Sequence, residues 1–428
     1  MKEFIKENKV VLIGFALSLF HWTLATAFCV ALLWFLRKEG IRGAIKAMII
    51  LGIRSNLGRS IASSFGAGGM IKFAVIFIIA FFLIHQSRAK NQKRLDNLLL
   101  LLGLYLFSNV ITLVFVSSFP VTGLFKLISY SIPFYAILKG VGDDDQYDYL
   151  DYMLRWFTII LVGSLVAIPL GGRFNYVNGD FQGVLNHPNT FGLFGAVYVG
   201  LLVYQLAIGK IKFSEKKWIG LGVLALALMW LSRSRTGMFS AAFCCAIAFW
   251  TTQKMSIGKK VCLGMMIGIL LVVYATMSVK GMNAVNKFVY KRGESEILSS
   301  REEMRIAYEE KYAYSPMLGT GFLVPFVEGY RNTSLSFNLI AEPGNLYYAV
   351  MGDSGIVGTT LFCLYVGYIL FCCGMRKLEL GVIPLIISMG EVAFFSTNNL
   401  AAWYYVIFGV CLAKNTPKIV YHVQGGRL

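Results

Sequence analysis

The chain is a succession of apolar blocks, each roughly 18 to 27 residues long, joined by short polar or basic connectors. At 1.5 Å per helical residue such a block crosses a hydrocarbon layer of about 30 Å, and a segment in lipid must satisfy its backbone hydrogen bonds internally, as a helix does. Of 428 residues 14% are charged and 57% hydrophobic. A soluble domain carries about 25% charged residues, so a cytosolic enzyme is excluded. The expected fold class is an all-α integral membrane protein, a single polytopic domain over residues 1–428. Lys and Arg number 40 against 22 Asp and Glu, a net charge of +18. In a soluble protein that excess would point to nucleic acid; here the basic residues sit mostly at block ends, where they set orientation. Nucleic acid is therefore not an expected partner. The 8 cysteines lie in or beside apolar segments without CxxC spacing or neighbouring His, and read as packing residues.

Blocks run near 10–36, 70–87, 95–118, 121–139, 153–171, 189–208, 217–232, 236–252, 260–279, 345–374, 379–396 and 399–413, about twelve spans with 11 to 13 open. The 10–36 block follows Lys2, Lys6 and Lys9 as a signal sequence would, but it is too long for an h-region and lacks a small-residue cleavage site. It reads as the first span. The connectors 87–94, 210–217, 254–260, 376–377 and 414–418 are basic and fall on one side, cytoplasmic by the positive-inside rule, with both termini inside. Residues 37–69 break that rule, because they would lie outside while holding Arg37, Lys38, Arg42, Lys46, Arg54 and Arg59. Either 47–53 belongs to a further short or re-entrant helix, or the stretch lies along the outer interface. The outer connector 280–344, about 65 residues, is long enough to need structure of its own, which usually means function. Within it Met304, Ala307, Tyr308 and Tyr312 fall on one stripe of an amphipathic helix at 300–315.

The outer half concentrates arginines where they are costly. Arg233 and Arg235 share the turn Ser232-Arg233-Ser234-Arg235-Thr236-Gly237 between two spans, with no acidic residue in that turn. Cations at that depth face a cavity or a partner unless they snorkel to lipid phosphate, so an anionic substrate site competes with snorkelling. Arg173 begins the other short outer connector, which ends in Asn186-His187-Pro188-Asn189, a polar span entrance with Asn189 on its floor. His187 reads as a helix-start residue or as a base. Arg301 opens the amphipathic helix, beside Glu302 and Glu303, which either neutralise it or leave it to bind ligand. Glu342, ahead of Pro343-Gly344-Asn345, is a helix-start carboxylate or a general base. Asp353, deeper in the following span, needs a partner. Asp143-Asp144-Asp145 falls on the cytoplasmic side and reads as a solvated connector. Arginines and a carboxylate on the outer face suit a lipid-linked sugar pyrophosphate, whose leaving group needs only positive charge to stabilise it.

These residues resemble the O-antigen ligase and O-antigen polymerase superfamily, over about residues 160–365. The resemblance rests on Arg173 followed by Pro188-Asn189-Thr190-Phe191-Gly192, on Ser234-Arg235-Thr236-Gly237, on Ser300-Arg301, on Pro316-Met317-Leu318-Gly319-Thr320-Gly321, and on Asn345 followed by Gly355 and Gly358. Ligases of the family carry His directly before that Asn, where this chain has Gly344, so the resemblance favours the polymerase branch. It implies an all-helical bundle similar to C-type glycosyltransferases, in a bacterial cytoplasmic membrane, with the 280–344 loop as a lid over an outward-facing site. The implied reaction joins polyprenyl-pyrophosphate-linked repeat units with inversion and without a metal or cofactor. Arg173, Arg235 and Arg301 hold the pyrophosphate, Glu342 takes the hydroxyl proton, and Asn345, Tyr347 and Tyr348 face the sugars. Membrane lipid and a chain-length regulator are the further partners it implies. A ligase acting on a separate acceptor is the alternative; a lipid-linked glycan transporter is disfavoured by the lack of repeat halves and of paired interrupted spans.

Overall fold

The structure, a computed structural model, describes residues 1–88, 92–170, 175–177, 179–211, 216–251, 302–336, 339, 344–375, 377–396 and 401–413. The expected span at 260–279 and the tail from 414 lie outside them. Among the described residues six helices are long and apolar enough to cross a membrane: Gly69–Gln86, Gln92–Phe115, Pro120–Asp143, Tyr149–Ala167, Pro188–Ala207 and Leu346–Cys373. Shorter apolar helices, Lys216–Leu231, Arg235–Thr251, Leu378–Ile387 and Ala401–Leu412, pack among them. The sole sheet there is a pair of two-residue antiparallel strands, Tyr176–Val177 and Asp180–Phe181. The chain is an all-α membrane protein.

The bundle has a basic end and a loop end. At the basic end Arg42 makes a bidentate pair with Asp144, Nε and Nη2 each 3.0 Å from a carboxylate oxygen, and the Tyr149 hydroxyl donates to the same carboxylate at 2.7 Å. Asp145 is buried. The acidic run is therefore a clamp, and the solvated connector expected for it is corrected. A cavity of about 400 Å³ lined by Glu39, Ile41, Arg42, Asp143 and Asp144 opens at this end. At the loop end Gly58 N–H donates to Val184 C=O, and Asn186 N–H to Asn56 C=O.

Those two anchors resolve the anomalous 37–69 stretch. A helix, Ile41–Ser55, joins them, with every residue from Ala47 to Arg54 buried. Its 15 residues give about 22 Å of rise. Arg42 and Lys46 thus stand at the basic end, Lys46 paired with Glu39 at 2.7 Å, while Arg54 and Arg59 stand at the loop end. The further-helix reading holds, extended beyond 47–53.

The single 10–36 span is corrected too. Helices Lys9–Leu17 and Trp22–Ala31 form a hairpin, continued by Leu33–Glu39, and Phe15 meets Phe28 edge-on with 6.0 Å between ring centroids. Hydrophobicity is continuous through the reversal, but its polar atoms are not idle. Ser18 Oγ donates to Phe15 C=O, and His21 Nδ1 accepts from Thr23 N–H to cap the second arm. Arg54 closes the turn from the neighbouring helix, donating to Ser18 Oγ and to the carbonyls of Ser18 and Ser63 at 2.7 to 2.9 Å.

Helix Leu346–Cys373 has 28 residues, about 42 Å, which exceeds a bilayer core. It breaks at Gly355, whose φ of 60° and ψ of −166° are open to glycine and strained for other residues. The portion before the break runs from Ser388, whose carbonyl accepts from Leu346 N–H, to Asn109, which accepts from Ser354 Oγ at 2.8 Å. The portion after it is the span.

Candidate functional site

The last apolar blocks, expected as two spans at 379–396 and 399–413, fold as two short helices. Leu378–Ile387 has 10 residues and Ala401–Leu412 has 12, about 15 and 18 Å of rise, and 388–396 between them is non-helical. Irregular backbone at membrane depth is tolerated where protein surrounds it or where it lines a polar cavity. This segment packs at the loop end: Gly390 lies against the Thr236 side chain, and Ser388 C=O holds the start of helix Leu346–Cys373.

Two helix starts meet it there. His187 N-caps Pro188–Ala207, its Nδ1 accepting from Asn189 N–H at 3.1 Å, so the helix-start reading of His187 holds. Asn189, one residue into that helix from its N1 proline, donates Nδ2–H to Glu391 Oε1 at 2.8 Å. Arg235 begins helix Arg235–Thr251. Ser234 Oγ accepts from Gly237 N–H at 3.4 Å, and Gly237 lies directly on the Gly192 backbone, so the two helix starts are held in register by glycine contact. The Ser-Arg-x-Gly turn and the Pro-Asn-x-x-Gly entrance are two halves of one packing unit. Asn345 starts a third helix, its Oδ1 accepting from Tyr347 N–H at 2.8 Å and Tyr348 N–H at 3.4 Å. Tyr347 is 44% exposed, and its hydroxyl donates to Leu385 C=O at 3.2 Å.

The two arginines of the turn differ. Arg233 takes a positive φ of 48° and its Nη1 lies 3.2 Å from Asp180 Oδ1, on a carboxylate that is 1% exposed. The acidic partner that the turn itself does not hold comes to Arg233 from the other outer connector. Arg235 is half-buried at the rim with Thr236 facing Gly390. Arg173, Arg301 and Glu342 lie outside the described residues.

The Pro-x-x-Gly-x-Gly segment serves the helix break. At Gly355 the interrupted ladder frees carbonyls before it and N–H groups after it. Gly352 C=O and Asp353 C=O accept from Thr320 and Gly321 N–H, while Ile356 and Val357 N–H donate to Pro316 and Met317 C=O. The segment thus plugs the break from both sides. Asp353 gains its partner in the same place: Lys311 Nζ lies 2.7 Å from Oδ1, and Leu323 N–H donates to Oδ2 at 2.9 Å. Lys311 belongs to helix Glu302–Tyr314, the amphipathic helix expected at 300–315, but the buried residues of its face are Tyr308 and Lys311, whereas Ala307 is exposed. Further along, Ser118 exchanges hydrogen bonds with Val327, Lys126 Nζ donates to Leu323 and Leu339 C=O, and Arg331 donates to Val114 C=O. The described part of the outer loop is tied down over helices Gln92–Phe115 and Pro120–Asp143.

Residues 220–363, which hold the Ser-Arg-x-Gly turn, the plug and the kinked helix, match the family described as O-antigen ligase. The match covers about a third of the chain and makes this segment similar to that family. The resemblance to the O-antigen ligase and polymerase superfamily is thereby supported, and with it a membrane glycosyltransferase of O-antigen ligase type. No curated protein matches the chain. Sequence reasoning missed Glu391 and Asp180. The signal for Glu391 was a lone carboxylate in Ser388-Met389-Gly390-Glu391-Val392, inside a block that otherwise reads as a span.

Proposed function

We propose that this O-antigen ligase-type protein is a polysaccharide polymerase, joining polyprenyl-pyrophosphate-linked oligosaccharide repeat units at the outer face of the bacterial cytoplasmic membrane. The observation that carries the reading is the junction of the matched Ser-Arg-x-Gly turn with the His187–Asn189 helix start and the irregular 388–396 segment, three polar elements at one end of the bundle. Arg235, with Arg173 and Arg301 from the same face of the sequence, holds the donor pyrophosphate and stabilises the charge that grows on it as the anomeric bond breaks. A sugar hydroxyl of the acceptor unit attacks from the opposite side, which inverts the anomeric centre. Asn345 and Tyr347 line the sugar path, and the loop carrying helix Glu302–Tyr314 covers it. The charge at the basic end, Arg42 and Lys46 included, agrees with that end being cytoplasmic.

Gly344 supports the polymerase branch. Its φ of 63° is one that a His at that position, as in the ligases, would adopt only with strain. The family's description as ligase supports transfer to a separate acceptor as the second reading.

The test is reconstitution of the purified protein in liposomes with lipid-linked repeat units and no nucleotide sugar. A ladder of lipid-linked products spaced by one repeat is expected, and it should vanish for Arg235→Ala while that protein remains in the membrane. Normal ladders from Arg235→Ala would remove the pyrophosphate role. Product only on addition of a separate acceptor would make the protein a ligase.

A further inference from the structure

Four cations are buried among the described residues: Arg54, Lys72, Lys311 and Lys377, between 2% and 7% exposed. A buried charge is stable only where acceptors or a counter-charge replace its water. Three of the four have that replacement. Lys311 holds Asp353 Oδ1 and Val324 C=O, each at 2.7 Å, and Lys377 donates to Val410 and Ala413 C=O at 2.7 and 3.1 Å. Arg54 meets the Ser18 hydroxyl and the carbonyls of Ser18 and Ser63. Lys72 is served least. Its ammonium has one acceptor among the described residues, Ser55 Oγ at 3.4 Å, and otherwise the ring of Phe65, 4.7 Å to the centroid.

Nothing in its position forces Lys72 inward. It is the fourth residue of helix Gly69–Gln86, where a four-carbon stem reaches the membrane boundary, and its neighbours Met70 and Ile71 are exposed. It turns instead toward Arg54, whose guanidinium lies 4.9 Å from the centroid of the same Phe65 ring. Two like charges thus share one ring. Neither has a carboxylate partner among the described residues, and the sequence holds no Asp or Glu between Glu39, at the basic end, and Asp96. The Ser63 hydroxyl is buried and makes no hydrogen bond among the described residues, although its carbonyl holds Arg54. Ser64 and Gly66 flank Phe65 and are exposed, which puts the outer surface next to the ring. Two residues beyond Arg54, Asn56 C=O accepts from Asn186 N–H, so the cluster adjoins the His187 helix start without sharing a residue with it.

We propose that Arg54 and Lys72 form a second anion site, for a phosphate group carried by a lipid at the outer membrane boundary, separate from the pyrophosphate site assigned to Arg235. A phosphate oxyanion supplies a counter-charge to both cations and accepts from the ammonium, the guanidinium and the Ser63 hydroxyl together. The group belongs either to a phospholipid headgroup or to the polyprenyl carrier of a second lipid-linked unit; the chemistry of recognition is the same.

The experiment uses the full-length protein, delipidated in a neutral detergent and carrying Arg235→Ala to weaken the transfer site. Its thermal midpoint is followed against added inorganic pyrophosphate, phosphatidylglycerol in mixed micelles, and polyprenyl pyrophosphate, since binding to the folded state raises the midpoint with concentration. A rise with pyrophosphate and with at least one of the lipids is expected. Adding Lys72→Met should move each titration to about ten- to a hundredfold higher concentration. The same substitution should raise the ligand-free midpoint, because it removes a buried cation, whereas a lysine kept only for folding would lower it. Ser55→Asp, which sets a carboxylate at the Lys72 ammonium, should also raise the ligand-free midpoint and abolish the response, and it decides the matter if Lys72→Met does not accumulate. A response that survives these substitutions, or no response in the Arg235→Ala protein, overturns the site. Among supporting outcomes, a response to phosphatidylglycerol makes the headgroup the source, and a response to polyprenyl pyrophosphate alone makes it the carrier. Failure of the glycosyltransferase reading would show in the liposome assay and leaves these titrations unchanged.

Discussion

Lys311 and Asp353 face each other with side chains 6% and 3% exposed, so each is the other's solvent. Breaking such a pair from one side strands a buried charge and costs about 3–5 kcal/mol, whereas replacing both partners by apolar residues is much milder. Lys311→Met should therefore lower the thermal midpoint in detergent more than Lys311→Met combined with Asp353→Leu. Equal losses would mean that the charges do not compensate one another. At this scale much of the site was legible. His187 and Asn345 precede apolar runs in the manner of N-caps, and Arg235 sits in a turn too short to hide. Glu391 was not legible, because whether a lone acid in an apolar block is lipid-facing, buried or site-lining depends on where the helix stops. In the fold Glu391 stands beside Gly390, which lies against Thr236, far off in sequence. Asp353 needed a partner on electrostatic grounds alone, but nothing in the spacing of Lys311 said it would be the one.

Helix interruptions organise the elements. Gly355 is the sharpest, and Gly355→Ala should cost about 1–3 kcal/mol for the backbone conformation alone, with additional loss from contact with the Met317 backbone. The readout is protease sensitivity of the 315–336 loop, since a straightened helix would withdraw the four backbone groups that hold the plug. A loop as resistant as in the parent chain would show that the break does not anchor it. The motif pieces around Pro316 and around Gly355 were visible in the sequence as separate short patterns. Their mutual hydrogen bonding was not, since spacing along a chain says nothing about which carbonyl a break exposes. Block counting failed in the same way at 378–412, where hydropathy is continuous but the helix is not.

For the whole molecule, the block pattern missed the helical hairpin inside 10–36 and left open the further helix that Ile41–Ser55 forms. The apparent exception at 37–69 disappears once Arg42 joins Asp144 at one end and Asn56 joins Asn186 at the other. Cysteines placed singly at Lys38 and Arg59, both exposed, should be labelled by an impermeant maleimide from opposite faces of the membrane, in a background with Cys363 replaced. Labelling of both from one face would return the stretch to an interfacial position. The block lengths could not reveal this, because a hairpin of short helices and one long span have the same hydropathy.

The N-terminal reversal also has a temporal side. The Ser18 carbonyl and hydroxyl at its tip are met by the Arg54 guanidinium, which belongs to a helix translated later than the turn it closes, and the third acceptor, the Ser63 carbonyl, comes later still. The hairpin emerges from the ribosome with its tip incomplete, and Arg54 arrives after its Ser18 acceptors and before its Ser63 one. The tip of the hairpin is therefore complete only once the Ile41–Ser55 helix and the residues that follow it are in place.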